Sequence, residues 1–141
     1  MAEKSATPGD LKKLLNVEFG PVVYDVEKWW VKKFVEAIDD PNPLWKKVTP
    51  PTFPTALILE ELDSAIRNLN GSFSRGLNGG NELEYFQPIR IGDTISVTGK
   101  IVNLREREGK LGRMLIIISE LSYTNQKGEL VAKCRNSSIK Y

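Results

Sequence analysis

The 141-residue chain contains no histidine. Histidine is the side chain whose charge changes nearest neutral pH. Its absence excludes a Ser-His-Asp triad, a Cys-His dyad and any histidine metal centre built from this chain alone. Cysteine is nearly missing as well. Cys134 stands alone, so no intrachain disulfide can form and no metal site is expected. It lies in the alternating run Leu130 to Arg135, which reads as a buried strand position. No apolar run approaches the roughly 20 residues that span a bilayer. The stretch Met1 to Asp10 is polar, so no secretory signal is expected and the cytoplasm is the expected location. An excess of one charge is lacking too. Twenty Lys/Arg face eighteen Asp/Glu for a net charge of +2, and the signs alternate, as in Arg105-Glu106-Arg107-Glu108. Neither nucleic acid nor a membrane surface is an expected partner.

What is present is an ordinary globular composition, 40% hydrophobic and 27% charged. A single domain over residues 1–141 is expected, large enough to bury roughly two-thirds of its unfolded surface. Leu11, Leu14, Leu15 and Phe19 form a short amphipathic lead-in, and Pro21 to Val26 reads as a first strand. Trp30, Val31, Phe34, Val35 and Ile38 then recur at three- and four-residue steps, which predicts a helix over Glu27 to Ile38. Pro41 and Pro43 end it. The proline-rich connector Thr49 to Pro54 leads to a second helix expected over Thr55 to Leu69, with Asn70-Gly71 as its stop. Ser72 to Gly80 reads as a loop.

From Asn81 onward the period becomes two. Four strands are expected over Asn81–Ile89, Asp93–Arg107, Arg113–Asn125 and Glu129–Tyr141. Turn signals at Gly92-Asp93, Glu108-Gly109-Lys110 and Gln126-Lys127-Gly128 make the pairing antiparallel, because a parallel crossover needs a dozen or more residues. The resulting class is α+β, a curved antiparallel meander wrapped around one long helix. Free sheet edges invite a second chain, so a dimer is expected.

The segment Ala37-Ile38-Asp39-Asp40-Pro41-Asn42-Pro43-Leu44-Trp45 carries the chemistry. Asp40 is a carboxylate at the negative end of a helix, with apolar Trp45 and Phe53 expected close by. That environment suits a general base acting on water. Asn42 could orient the carboxylate or the water, and backbone N–H groups at the start of the Thr55–Leu69 helix could hold an enolate oxygen. Asp and Asn between prolines are equally plain turn formers. Trp29, Trp30 and Trp45 read as core or interface aromatics.

At this point the residues resemble a family. Phe34 to Trp45, the connector Pro50-Pro51-Thr52-Phe53, Glu84 to Ile95 and Tyr123 to Ala132 occur in the order seen in the MaoC-like hot-dog enoyl-CoA hydratase/dehydratase superfamily, in its N-terminal MaoC-like or FAS1-type branch. The resemblance implies a hot-dog fold and water addition to a trans-2-enoyl thioester, or the reverse. It also implies a coenzyme A thioester as substrate or ligand, with no other cofactor. Active relatives pair an aspartate with a histidine in this motif. Here Asp40 and Asn42 match, and Trp45 stands at the histidine position. Trp45, Pro51, Thr52 and Phe53 are the substrate-binding candidates that the resemblance supplies. Only Lys46-Lys47-Val48-Thr49 separates Trp45 from Pro50, a shorter link than relatives carry.

The expected role is therefore the non-catalytic, pocket-forming half of a hydratase, as a homodimer or beside a histidine-bearing MaoC-like subunit. Three alternatives stand beside it: an acyl-CoA-binding scaffold within a thiolase-type complex, a self-sufficient hydratase using Asp40, and a thioesterase using Glu60, Glu61 or Asp63. Lys46, Lys47 and Arg135 are candidate contacts for coenzyme A phosphates, against a default of solvated surface charge.

Overall fold

The computed structural model describes residues 8–68, 73, 75–110 and 112–141. The lead-in forms a one-turn helix, α1 (Pro8–Lys12), which buries Leu11, and Leu15 then bridges to Ile101. Strand β1 (Phe19–Asp25) follows, then helix α2 (Lys28–Ile38), within a residue or two of the positions read from spacing. Val31 is fully buried on the inner face of α2, with Trp30, Phe34 and Val35 packed against the core beside it. Ile38, expected on the same face, is exposed at the last turn, and Trp29 is 63% exposed on the outer side.

The remaining strands are β2 (Gly76–Tyr85), β3 (Thr94–Gly109), β4 (Gly112–Thr124) and β5 (Leu130–Lys140). They form one antiparallel sheet with β1, in the order β1-β3-β4-β5-β2. The tight turns after β3 and β4 enforce hairpin pairing, as expected. The expected four-strand meander is corrected, because β2 does not pair with β3. It lies at the opposite edge beside β5, with Tyr85 facing Ala132 and Gly76 facing Lys140. Its span is also shifted. Gly76 to Gly80, read as loop, is strand, while Phe86 to Ile89, read as strand, is the crossover. Pro88 lies in that crossover and has no N–H to donate to a ladder. The crossover is instead tied to the proline-rich connector, where Thr49 N–H donates to the Ile89 carbonyl at 2.8 Å and Ile91 N–H to the Lys47 carbonyl at 3.1 Å.

The second helix is shorter than expected. Helix α3 covers Glu60–Arg67 alone, and Phe53–Ala56 is a separate 3-10 turn. Between them Leu57 and Leu59 are buried while Ile58 is exposed. That alternation belongs to extended chain, so the helix expected from Thr55 does not begin there. The expected stop at Asn70-Gly71 lies outside the described residues. Helix α3 lays Leu62 and Ile66 onto the inner face of the sheet, worth about 1.5–3 kcal/mol for each fully buried side chain. Ile95, Val97, Ile101, Ile117 and Tyr123 face them. Cys134 is buried in β5, as its alternating run predicted, and is a free thiol. A curved antiparallel sheet with a helix on its inner face is the hot-dog arrangement expected from the sequence, built here on a short helix.

Candidate functional site

Helix α2 ends where Asp39 turns left-handed, at φ 53° and ψ 45°. Asp39 and Asp40 N–H groups fold back onto the Glu36 and Val35 carbonyls, at 3.2 and 3.3 Å. The chain then enters a 3-10 turn, Pro43–Lys46, with Pro43 in its first turn, where a missing N–H does no harm. Asn42 caps that turn, its side-chain oxygen accepting the Leu44 N–H at 3.0 Å. Asp40 uses both oxygens: Oδ1 accepts the Asn42 N–H at 3.2 Å, and Oδ2 accepts the Trp45 Nε1–H at 2.9 Å. Asp40, Asn42 and Trp45 thus form one hydrogen-bonded knot. Asp40 and Asn42 take the turn-forming roles open to them on sequence grounds, and Trp45, expected as a core or interface aromatic, adds a fixed donor to the carboxylate.

The connector is built separately. Phe53 is fully buried, edge-on to Trp30 and Phe34 with ring centroids 5.3 and 5.4 Å away. It is a wall of the core, with no surface to offer a ligand. Pro51 and Thr52 are exposed. The Pro51 carbonyl accepts the Tyr85 hydroxyl, which fastens the connector to β2. The Thr52 carbonyl accepts both the Thr55 hydroxyl, at 2.7 Å, and the Thr55 N–H, at 3.1 Å. Among the described residues no hydrogen bond joins Asp40, Asn42 or Trp45 to this segment; the link runs through the Phe34–Phe53 ring contact. The expectation of free N–H groups at Thr55 is corrected. The Thr55 and Leu57 N–H groups close the 3-10 turn, and the true helix begins at Glu60, with Glu60, Glu61 and Asp63 in its first turn. Such acidic groups oppose an oxyanion there.

A cavity of about 480 Å³ opens between α3 and the inner face of β2, β4 and β5. Leu62, Ile66 and Leu121 give it apolar walls. Asp63 from α3 and Tyr123 from β4 line it as well. Burial pushes the Asp63 carboxyl above its ordinary range; Arg67 pulls it back and Glu60 adds to the rise. Burial likewise raises the Tyr123 hydroxyl, and it lifts Tyr85 to about 12. For Asp63 the sign is direct. Below the ordinary carboxylate value both folded and unfolded chains are protonated and burial carries no penalty. Above the raised folded value the half-buried charge destabilises the fold. Asp63→Asn is therefore expected to raise the melting temperature at pH 7, with the gain fading as pH falls towards about 4 and gone below it. A variant less stable at pH 7 would contradict this.

Residues 13–134 match the family described as FAS1-like, dehydratase domain region. The chain belongs to that family. It is 30% identical over 118 residues to a UPF0336 protein of Thermobifida fusca, covering 74% of this chain and 76% of that protein. A UPF0336 protein of Saccharopolyspora erythraea is 25% identical over 143 residues, with 91% and 89% covered. Among solved structures the fold resembles the HadBC (3R-hydroxyacyl-ACP dehydratase) complex of Mycobacterium tuberculosis, with a TM-score of 0.74, 19% identity, and 89% of this chain and 96% of that chain covered. The ChsH1-ChsH2 complex of the same organism gives a TM-score of 0.70 at 16% identity, with 94% and 92% covered. A MaoC-like dehydratase of Rhodospirillum rubrum gives 0.67 at 18%, with 93% and 95% covered.

Within this FAS1-like dehydratase framework, the candidate phosphate contacts separate. Lys46 and Lys47 are exposed at the end of the motif turn. Arg135 lies on the outer face of the sheet, ion-paired to Glu120 at 2.9 Å. Register aligns Lys100, Glu120, Arg135 and Glu82 across four strands there, in a groove of about 680 Å³. Sequence reasoning missed the polar members of the inner cavity, Ser119, Asn81, Asn136 and Ser138. Their signal was legible in one respect: Asn136 and Ser138 continue the alternate positions of buried Ala132 and Cys134. Their convergence was not, because it depends on β2 lying beside β5. Among the described residues no cluster of His, Cys, Asp and Glu could hold a metal ion, and no helix is long and apolar enough to cross a membrane.

Proposed function

We propose that this chain is the non-catalytic, acyl-pocket-forming subunit of an enoyl-CoA hydratase or 3-hydroxyacyl-CoA dehydratase, working beside a histidine-bearing MaoC-like subunit. One observation carries the reading: the Trp45 indole N–H is hydrogen-bonded to Asp40 at the place where the motif would hold a histidine. Hydration adds a hydroxyl to C3 of the enoyl thioester and a proton to C2, so a group must accept a proton from water and one must deliver a proton. An indole N–H donates and accepts nothing. The Asp40–Trp45 pair can hold a wall in place, but it cannot relay a proton.

The partner's aspartate and histidine would activate the water. This chain would supply the cavity under α3 for the acyl group, with exposed Lys46 and Lys47 available to the coenzyme A phosphates. Two further points support a second chain. Strand β2 leaves one sheet edge unpaired and carries exposed Leu77 and Tyr85, with exposed Phe86 just beyond it. An unpaired edge invites strand pairing. Two of the similar folds belong to proteins described as complexes, HadBC and ChsH1-ChsH2.

The test is hydration of crotonyl-CoA and trans-2-decenoyl-CoA by the chain alone and after mixing with a histidine-bearing MaoC-like subunit from the same cell. The mixture is expected to exceed the chain alone by at least about 100-fold, the usual contribution of a general acid/base. Asp40→Ala in this chain is expected to leave the mixture's activity nearly unchanged. Full activity of the chain alone, abolished by Asp40→Ala, would overturn the reading.

A further inference from the structure

The walls of the cavity under α3 combine apolar Leu62, Ile66 and Leu121 with charged Asp63, Arg67 and Lys140, and its floor is polar but uncharged. Register places Ser119 of β4 opposite Asn136 of β5, and Asn136 opposite Asn81 of β2, so three polar side chains form a row across the inner face. Ser119 is 2% exposed, and its hydroxyl has no protein partner among the described residues. A buried hydroxyl left unpaired costs about 1–3 kcal/mol, so such groups are rare unless something answers them.

The neighbouring amides are organised. Asn136 donates through Nδ2 to Asn81 Oδ1 at 2.7 Å, to Asn78 Oδ1 at 3.1 Å and to the Gly80 carbonyl at 3.3 Å. Its own oxygen accepts the Ser138 hydroxyl at 2.9 Å. Asn81 Oδ1 also accepts the Cys134 thiol, at 3.7 Å. This network fixes the amide orientations. It leaves Asn81 Nδ2 as a donor with no protein partner among the described residues, at the solvent-exposed end of the row whose buried end is the Ser119 hydroxyl. Two donors with no formal charge suit a neutral oxygen. Of the charged residues that also line the cavity, Arg67 and Lys140 are the cations a carboxylate would seek and Asp63 would repel it, so the uncharged row itself suits a neutral oxygen.

Resting on the acyl-thioester reading above, we propose that this row selects an acyl group bearing a hydroxyl or keto oxygen distant from the thioester, held by Ser119 and Asn81. The distance follows from the strand. Tyr123, in register with Ala132 and Tyr85, marks the end of the cavity where Tyr85 is fastened to the connector. Taking the thioester at that end, Ser119 lies four residues along β4 from it, about 13 Å, a span that an extended acyl chain of about ten carbons reaches.

The test compares decanoyl-CoA with 10-hydroxydecanoyl-CoA by calorimetry on the full chain. The hydroxylated thioester is expected to bind about five- to tenfold tighter. Ser119→Ala is expected to abolish that preference while leaving decanoyl-CoA binding intact and raising the melting temperature, since it removes an unpaired buried hydroxyl. Equal binding of the two thioesters, as a water held on Ser119 would give, overturns this inference and leaves the proposed function standing. So does a preference that survives Ser119→Ala. Failure of both thioesters to bind overturns the proposed function, and this inference with it.

Discussion

Phe53→Ala is expected to destabilise the protein by about 3–5 kcal/mol, the usual cost of truncating a fully buried aromatic. Phe53 has no exposed surface and is the residue on which three structures meet. It opens the 3-10 turn Phe53–Ala56 of the connector, and its ring receives Trp30 and Phe34 of α2 at interplanar angles of 67° and 82°. Trp30 in turn meets Tyr24 of β1 at 5.8 Å. Edge-to-face pairs add about 0.5–1.5 kcal/mol each beyond burial, and their loss places the expected cost toward the top of that range. Thermal unfolding should show a melting temperature lower by about 10–20 °C for a domain of this size. Phe53→Leu should recover much of it by refilling the space. A drop of only a degree or two would mean that α2 and the connector are not held together through this ring. The motif turn hangs from the end of α2, so the same variant tests whether Asp40 and Trp45 depend on the connector for their placement.

Gly99→Val is expected to cost about 3 kcal/mol, the upper end of ordinary overpacking. Gly99 lies in β3 on the inner face, between buried Val97 and Ile101. A Cβ there would stand 2.9 Å from Leu59 Cδ2, 3.2 Å from the Glu120 carbonyl oxygen and 3.3 Å from Leu121 Cγ. The first neighbour can swing aside, but the Glu120 oxygen belongs to the adjacent strand and cannot. Leu59 is the residue from which α3 starts, so the added methyls would also lift the helix away from the floor of the cavity. Urea denaturation should give a lower midpoint with an unchanged slope. Leu59→Ala placed in the Gly99→Val background should cost less than it does in the native protein, the coupling expected of residues in contact. Additive costs would show that the glycine is not needed for this close approach.

The local elements were readable because their causes are local. Trp30, Val31, Phe34 and Val35 fall on one face at helical spacing, and two prolines end the helix wherever it packs. The alternation in β3, β4 and β5, together with the short turns between them, leaves hairpin pairing as the only short-range solution. The Asp40–Asn42–Trp45 turn was readable to the same depth, because Asx capping and a proline in a first turn act within five residues. What failed was less local. Thr55 to Leu59 carries helix-compatible residues, yet Leu57 and Leu59 are both drawn into the core and Ile58 is turned out. Tertiary packing overrode propensity there. Strand β2 was misplaced because Gly76 to Gly80 has poor strand propensity, and its pairing with β5 is made by the full length of the partner strand.

By itself, then, the sequence determined that no residue of this chain can relay protons as histidine does. It determined the α2 turn with Asp40, Asn42 and Trp45, the antiparallel hairpins and the buried Cys134. Those follow from side-chain chemistry and from interactions spanning a few residues. Only the tertiary structure decided that the Trp45 indole closes on Asp40, that Phe53 is core, and that Ser119, Asn136 and Asn81 share one row beneath α3. The row exists because β2 crosses to the far edge of the sheet, and that pairing between residues 47 to 64 positions apart leaves no trace in local spacing.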